Sequence, residues 1–147
     1  MNKSISAVIP VYNSEKTIKE VVHRTLSTIS KLSRDTEIIL IDDGSTDNSW
    51  KELESLSKNN SVICIKLLKN YGQHCANMCG FNNSTKDLVV TLDDDLQNPP
   101  EEISKLYSAL SADVDIVYGE YEEKKHNILR KVGSFIVNKL NKKIFNV

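Results

Sequence analysis

Asp93, Asp94 and Asp95 stand together at the end of an apolar run (Val89, Val90, Leu92), and Leu96-Gln97-Asn98-Pro99-Pro100 follows them. Carboxylates this close repel one another, and a divalent cation with oxygen ligands is the simplest compensation. If the strand stays extended, its side-chain period of two puts Asp93 and Asp95 on one side and Asp94 on the other. Asp93 and Asp95 could then share one metal, and a hard cation there would hold a diphosphate. The competing reading is a solvated acidic turn. Two other polar clusters also follow apolar runs: Tyr12-Asn13-Ser14-Glu15 and Asp42-Asp43-Gly44-Ser45.

The elements that must position these clusters alternate. Ser6 to Val11 is a short apolar run and reads as a strand. From Thr17 to Leu32, Ile18, Val21, Val22, Leu26 and Ile29 recur with the 3.6-residue period of a helix. Glu37 to Ile41 is an apolar run after its first residue, as in a buried parallel strand. The turn chemistry of 42–49 places Thr46 or Asp47 to cap a helix carrying Trp50, Leu53 and Leu56. Val62 to Leu67 reads as a strand, Gln73 to Asn82 as a helix after the Asn70-Tyr71-Gly72 turn, and Leu88 to Leu92 as another buried strand. Pro99 and Pro100 suit a first helical turn, and Glu101 and Glu102 suit the positive end of its dipole. Asp115 to Tyr118 is expected to form a last short strand.

This βα alternation predicts a mainly parallel, Rossmann-like α/β sheet flanked by helices. Ligands of such sheets bind outside the carboxyl ends of the strands, where all three polar clusters fall. A dinucleotide-binding domain would need a GxGxxG turn after the first strand; this chain has Pro10-Val11-Tyr12-Asn13, and it carries no Walker A sequence.

The 147 residues suit one domain, and 39% hydrophobic with 27% charged residues is ordinary globular composition. A net charge of −1 gives no global field for nucleic acid. No apolar stretch is long enough to span a bilayer, and the N-terminus lacks a signal-peptide pattern, so a cytoplasmic location is expected. The three cysteines imply no disulfide framework. Cys75 and Cys79, beside His74, match no common zinc spacing and read as small thiols buried between a helix and the sheet.

Taken in order, Ile9-Pro10-Val11-Tyr12-Asn13 with Glu15, Ile41-Asp42-Asp43-Gly44-Ser45-Thr46-Asp47, and Asp93-Asp94-Asp95 resemble the motifs of family 2 glycosyltransferases of the GT-A fold. Asn70 to Phe81 (NYGQHCANMCGF) followed by Leu92 to Ile103 (LDDDLQNPPEEI) is similar to the polyprenyl-phosphate glycosyltransferase branch. That branch includes dolichyl-phosphate mannose synthase and the undecaprenyl-phosphate 4-deoxy-4-formamidoarabinose transferase type, the more similar of the two.

The resemblance implies transfer of a sugar from a nucleotide-sugar, UDP-linked by preference, to a polyprenyl phosphate. Pro10, Tyr12, Glu15, Asp42, Asp43 and Asp94 would bind the nucleotide. A carboxylate such as Asp43 can accept the N3–H of uracil or the N1–H and N2–H of guanine without a metal. Asp93 and Asp95 would be the catalytic acids that hold Mg²⁺ or Mn²⁺ against the diphosphate. Gln97 and Arg130 are candidates for the acceptor phosphate, though Gln97 could instead cap the following helix.

The expected organisation is a nucleotide-sugar-binding domain over 1–125 and a basic amphipathic segment over 126–147. From Ile128 to Val147 that segment spaces apolar residues along one helical face and carries Arg130, Lys131, Lys139, Lys142 and Lys143 without an acid. A membrane surface on the cytoplasmic side is its expected partner, and an ordinary helix packed on the domain is the competing reading. The sequence is expected to represent the nucleotide-binding half of a longer relative, working alone, as a homo-oligomer or with a partner chain. Two other functions stay open: a soluble family 2 enzyme acting on a glycan hydroxyl, and a catalytically silent nucleotide-sugar-binding module.

Overall fold

The computed structural model of the chain describes residues 3–119. The strands are β1 (Ile5–Val11), β2 (Thr36–Asp42), β3 (Val62–Lys66) and β4 (Leu88–Thr91), all parallel, in the order β3-β2-β1-β4. The helices are α1 (Ile18–Leu32), α2 (Ser49–Leu56), α3 (Gln73–Asn82) and α4 (Ile103–Ala109), the last preceded by a 3₁₀ turn at Pro100–Glu102. The chain steps outward from β1 to β2 and β3, then returns to the other side of β1 as β4. The order therefore reverses between β1 and β4, which is where a sheet of this kind opens a crevice at its carboxyl end.

Side-chain parity sorts the core into two layers. Ile5, Ala7, Ile9 and Val11 of β1 and Ile38 and Leu40 of β2 pack with Ile18, Val21, Val22 and Ile29 of α1 and Leu53 of α2. Val8, Ile39 and Ile41 point the other way and pack against Ala76 and Cys79 of α3. β1 and β2 are thus apolar on both faces because both faces are covered. Each fully buried Ile or Val contributes about 1.5–3 kcal/mol relative to exposure.

Gly80 lets α3 lie close to the sheet: a Cβ there would fall on the Val8 side chain and 2.8 Å from Ile41 Cδ1.

Three expectations change. The N-cap of α2 is Asn48, not Thr46 or Asp47, although Asp47 Oδ1 accepts the Ser49 N–H (2.9 Å) and so satisfies a first-turn donor from outside the cap. β4 is half exposed rather than buried, with Val89 46% accessible, because it is an edge strand among the described residues. Asp115 to Tyr118 forms no strand; no described strand lies beside it to share a ladder, and Ile116 and Tyr118 are exposed.

The cysteines also differ from expectation. Cys75 is exposed and Cys79 half-buried. Cys64 lies near the Leu53 carbonyl (3.3 Å), and burial pushes its thiol up to about 11. The expected boundary at residue 125, the basic segment 126–147 and Arg130 lie outside the described residues. No described helix is long and apolar enough to cross a membrane.

At the end of the sheet opposite the polar clusters, Glu37 joins three segments. It accepts the Ser6 hydroxyl (2.6 Å) and the N–H (2.8 Å) and hydroxyl (3.1 Å) of Thr85. Burial pushes its carboxyl up, but these hydrogen bonds and nearby Lys86 outweigh it, so its pKa lies below the ordinary 4.5. The unfolded chain therefore binds the proton more readily. The stabilisation is present above the unfolded value and is lost as pH falls through the folded one. Glu37→Gln is expected to lower unfolding free energy by about 1–3 kcal/mol at pH 7, with the gap to the parent narrowing below about pH 4.5. Urea unfolding at pH 7, 5 and 3.5 checks this; a gap that widens on acidification would refute it.

Candidate functional site

A cavity of about 370 Å³ opens between the carboxyl ends of β1 and β4, within the size range of small-molecule sites. β1 brings Pro10, Val11 and Tyr12; the β2 end brings Asp43; the turn into α3 brings Asn70, Gly72 and Gln73; the β4 end brings Asp93, Asp94 and Asp95. Of the residues singled out in the sequence, Pro10, Tyr12, Asp43, Asp93, Asp94 and Asp95 meet here. Glu15, Asp42 and Gln97 do not line the cavity.

The reasons are local. Asp42 ends β2 with the parity of Ile38 and Leu40, so it turns toward the α1–α2 layer. It is fully buried there, with Oδ1 accepting the Ser45 N–H (3.2 Å) and Oδ2 without a described partner. Glu15 is occupied by α2: its Oε2 accepts both the backbone and side-chain N–H of Asn48, each at 2.9 Å.

Each acid at the cavity is held by neutral donors. Asp43 accepts the Tyr71 N–H on one oxygen (2.8 Å) and the Gly72 N–H on the other (2.9 Å), so it pins the turn that starts α3. Asp94 accepts the Tyr12 N–H (3.0 Å) and the Ser14 hydroxyl on Oδ2, while its carbonyl accepts the Thr17 hydroxyl (2.6 Å). Asp93 accepts the side-chain amides of Gln73 on Oδ1 (2.8 Å) and Asn98 on Oδ2 (3.3 Å). Asp95 Oδ1 accepts the Gln97 N–H (2.9 Å).

β4 ends at Thr91, and Leu96 takes a positive φ of 60°. The acids therefore lie on a bend rather than on an extended strand. The expected alternation of Asp94 against Asp93 and Asp95 does not hold: all three line the cavity.

Asn13 ties the end of β1 to the turn after β2. At φ 54° its Oδ1 accepts the Thr46 N–H (2.8 Å), and its own N–H donates to the Ser45 hydroxyl (3.0 Å). An Asn tolerates this left-handed conformation better than most residues.

Among the described residues, no cation forms an ion pair with Asp43, Asp93, Asp94 or Asp95; the four ion pairs found involve other acids. Among the described residues, the cavity therefore collects negative charge without a paired counter-ion. The donor chemistry fits a hard divalent cation. Each Asp93 oxygen keeps a lone pair after its amide bond, and Asp95 Oδ2 accepts no described hydrogen bond. No three His, Cys, Asp or Glu side chains converge as a cage among the described residues. A cation would then take its other ligands from phosphate oxygens and water, the habit of Mg²⁺.

The family described as "Glycosyl transferase family 2" matches residues 6–144. The undecaprenyl-phosphate 4-deoxy-4-formamido-L-arabinose transferase of Proteus mirabilis (strain HI4320) is 45% identical over 136 residues, which is 91% of this chain and 42% of that protein. The chain thus spans less than half the length of that relative.

Among solved structures, S. aureus TarS 1–349 in complex with UDP is similar at a TM-score of 0.56 and 25% identity, over 63% of this chain and 27% of that one. The mannosyltransferase PcManGT from Pyrobaculum calidifontis, in complex with GDP-Man and Mn²⁺, aligns at a TM-score of 0.59 and 19% identity, over 65% of this chain and 28% of that one. The parallel four-stranded sheet with helices on both faces is of the GT-A type. The chain belongs to glycosyl transferase family 2.

Proposed function

We propose that this chain carries the donor site of a glycosyltransferase that moves a sugar from a nucleotide-sugar, UDP-linked, to a polyprenyl phosphate. The observation that carries the reading is the acid-lined cavity at the β1–β4 crevice, which has no protein counter-ion among the described residues. The name of the Proteus mirabilis relative supports the polyprenyl phosphate acceptor, and the UDP complex of TarS supports uridine.

In this reading Asp93 and Asp95 hold Mg²⁺ or Mn²⁺. When bound, the ion supplies charge to offset what builds on the leaving diphosphate. Pro10 and Tyr12 form the wall on the β1 side, and Tyr12 is about half exposed, so its ring is available to a base. Asp43 fixes the opposite wall through the 71–72 backbone. Asp94 ties the β4 bend to the start of α1, which keeps the two walls in register.

A phosphate monoester has a second pKa near ~6 and is already largely ionised at neutral pH. A polyprenyl phosphate therefore attacks without a strong base, and none of these residues is assigned that role. Gln97 and Arg130 remain the acceptor candidates. The basic residues of the 126–147 segment suit the cytoplasmic surface of an anionic membrane.

Calorimetric titration with UDP and GDP, each with Mn²⁺ and with EDTA, tests the donor site. Binding of UDP that requires Mn²⁺ is expected. Absence of binding to either nucleotide under both conditions overturns the reading. Transfer from a UDP-sugar to undecaprenyl phosphate, run beside a soluble glycan acceptor, tests the acceptor. Transfer to the glycan alone would favour the hydroxyl-directed enzyme, and nucleotide binding without transfer to either would favour a binding module.

A further inference from the structure

Gln73 is the first residue of α3 and lies 20 residues before Asp93, yet its side-chain amide donates to Asp93 Oδ1 at 2.8 Å. It is the only described side chain from the α3 side of the cavity that hydrogen-bonds one of the three consecutive acids. Its own position is tightly set. The turn before it is pinned by both oxygens of Asp43, and the Gly72 carbonyl accepts the N–H groups of Cys75 (3.0 Å) and Ala76 (3.1 Å). Further along, Ala76 and Gly80 press α3 onto the sheet. Asp93, by contrast, lies beyond the end of β4, where no ladder holds it.

Resting on the donor-site reading above, we infer that Gln73 is a positioning residue for the metal-binding carboxylate of Asp93. Its donor occupies one lone pair of Oδ1 and leaves the other free, while the Asn98 amide does the same at Oδ2. The carboxylate plane is therefore fixed before a cation arrives. An amide suits this task better than an ammonium or guanidinium: it orients the acid without neutralising it, so the attraction for a cation is kept. Outer-shell donors of this kind typically change metal affinity by about 10–100-fold when removed.

Three variants test the inference: Gln73→Met, which keeps length without a donor; Gln73→Lys, which places a positive charge beside Asp93; and Gln73→Glu, which adds a negative one. The readouts are Mn²⁺ affinity without nucleotide, from the spin-resonance signal of free Mn²⁺, and UDP affinity as a function of Mn²⁺.

Gln73→Met is expected to raise the Mn²⁺ concentration needed for half-maximal UDP binding about tenfold, with full UDP affinity regained at saturating Mn²⁺. Gln73→Lys is expected to weaken Mn²⁺ binding further while retaining some UDP binding in EDTA, because the ammonium stands where charge compensation is needed. Gln73→Glu is expected to bind Mn²⁺ at least as well as Gln73→Met.

If Gln73→Met leaves the Mn²⁺ requirement unchanged, the inference is overturned and the donor-site reading stands. If UDP binding falls and saturating Mn²⁺ does not restore it, Gln73 serves the fold and the inference is overturned. If the parent protein itself binds UDP without any Mn²⁺ dependence, the metal assignment of Asp93 fails and the inference fails with it.

Discussion

Asp95→Ala is expected to remove most Mn²⁺-dependent UDP binding, by at least about tenfold, with little change in thermal stability. Asp95 sits on the bend after β4. Its one described hydrogen bond is the local contact from Oδ1 to the Gln97 N–H, so the fold depends on it weakly. Its Oδ2 accepts no described hydrogen bond, and Asp95 is among the residues that line the cavity. Asp94→Ala is the contrasting case. It strips the Tyr12 N–H and the Ser14 hydroxyl of their shared acceptor, so stability and binding should fall together. Calorimetry in Mn²⁺ and thermal melts of both variants separate these outcomes. An Asp95→Ala protein that binds UDP with parental affinity in Mn²⁺ would end the metal assignment at this residue.

Gly44→Ala is expected to cost about 3 kcal/mol of unfolding free energy, from the left-handed backbone and the overpacking together. Gly44 has φ 70°, and a Cβ there would stand 2.6 Å from both Asn70 N and Lys69 C. Both obstacles are backbone, so no side-chain rotation relieves them. The 69–72 turn would have to move, and UDP binding should fall because that turn lines the cavity. Gly72→Ala is the control. Its φ of 93° and ψ of 155° fall in a region nearly restricted to glycine, but nothing lies within 4 Å of the added Cβ, so a conformational penalty of about 1–3 kcal/mol remains without any overpacking. Chemical denaturation of both variants gives the order. If Gly72→Ala is the more damaging, close backbone packing at Gly44 is not the controlling feature.

Much of the fold was readable in the sequence because the signals were local. α3 begins at Gln73 and ends at Asn82 as expected, since the Asn70-Tyr71-Gly72 turn marks its start. β1 and β2 were legible as short, nearly continuous apolar runs. The gathering of three strand ends into one crevice followed from βα alternation.

What was not legible depended on partners far away in the chain. Nothing near Glu15 shows that Asn48, 33 residues on, will take its carboxylate. Asp42 and Asp43 look equivalent in sequence. Only the register of β2 reveals that one faces the α1–α2 layer while the other holds the 71–72 backbone. The alternation assigned to Asp93, Asp94 and Asp95 assumed an extended strand, and β4 stops at Thr91. Asp115 to Tyr118 has the composition of a strand, but composition does not supply a neighbour with which to pair.

The bare face of α3 at Gly80 has a consequence for tolerance to drift. With no side chain between this part of the helix and Val8 or Ile41, the spacing from α3 to the sheet is set by backbone thickness and not by a deformable layer of side chains. Liquid-like adjustment, by which most helices absorb a substitution in the sheet below them, is closed to this one. Enlarging Val8 or Ile41 would tip α3 as a rigid lever, straining its pinned far end at Gln73, about seven residues or roughly 10 Å along the axis. Changes deep in the sheet, remote from any ligand, should therefore register as misalignment at the mouth of the cavity before they register as loss of the fold.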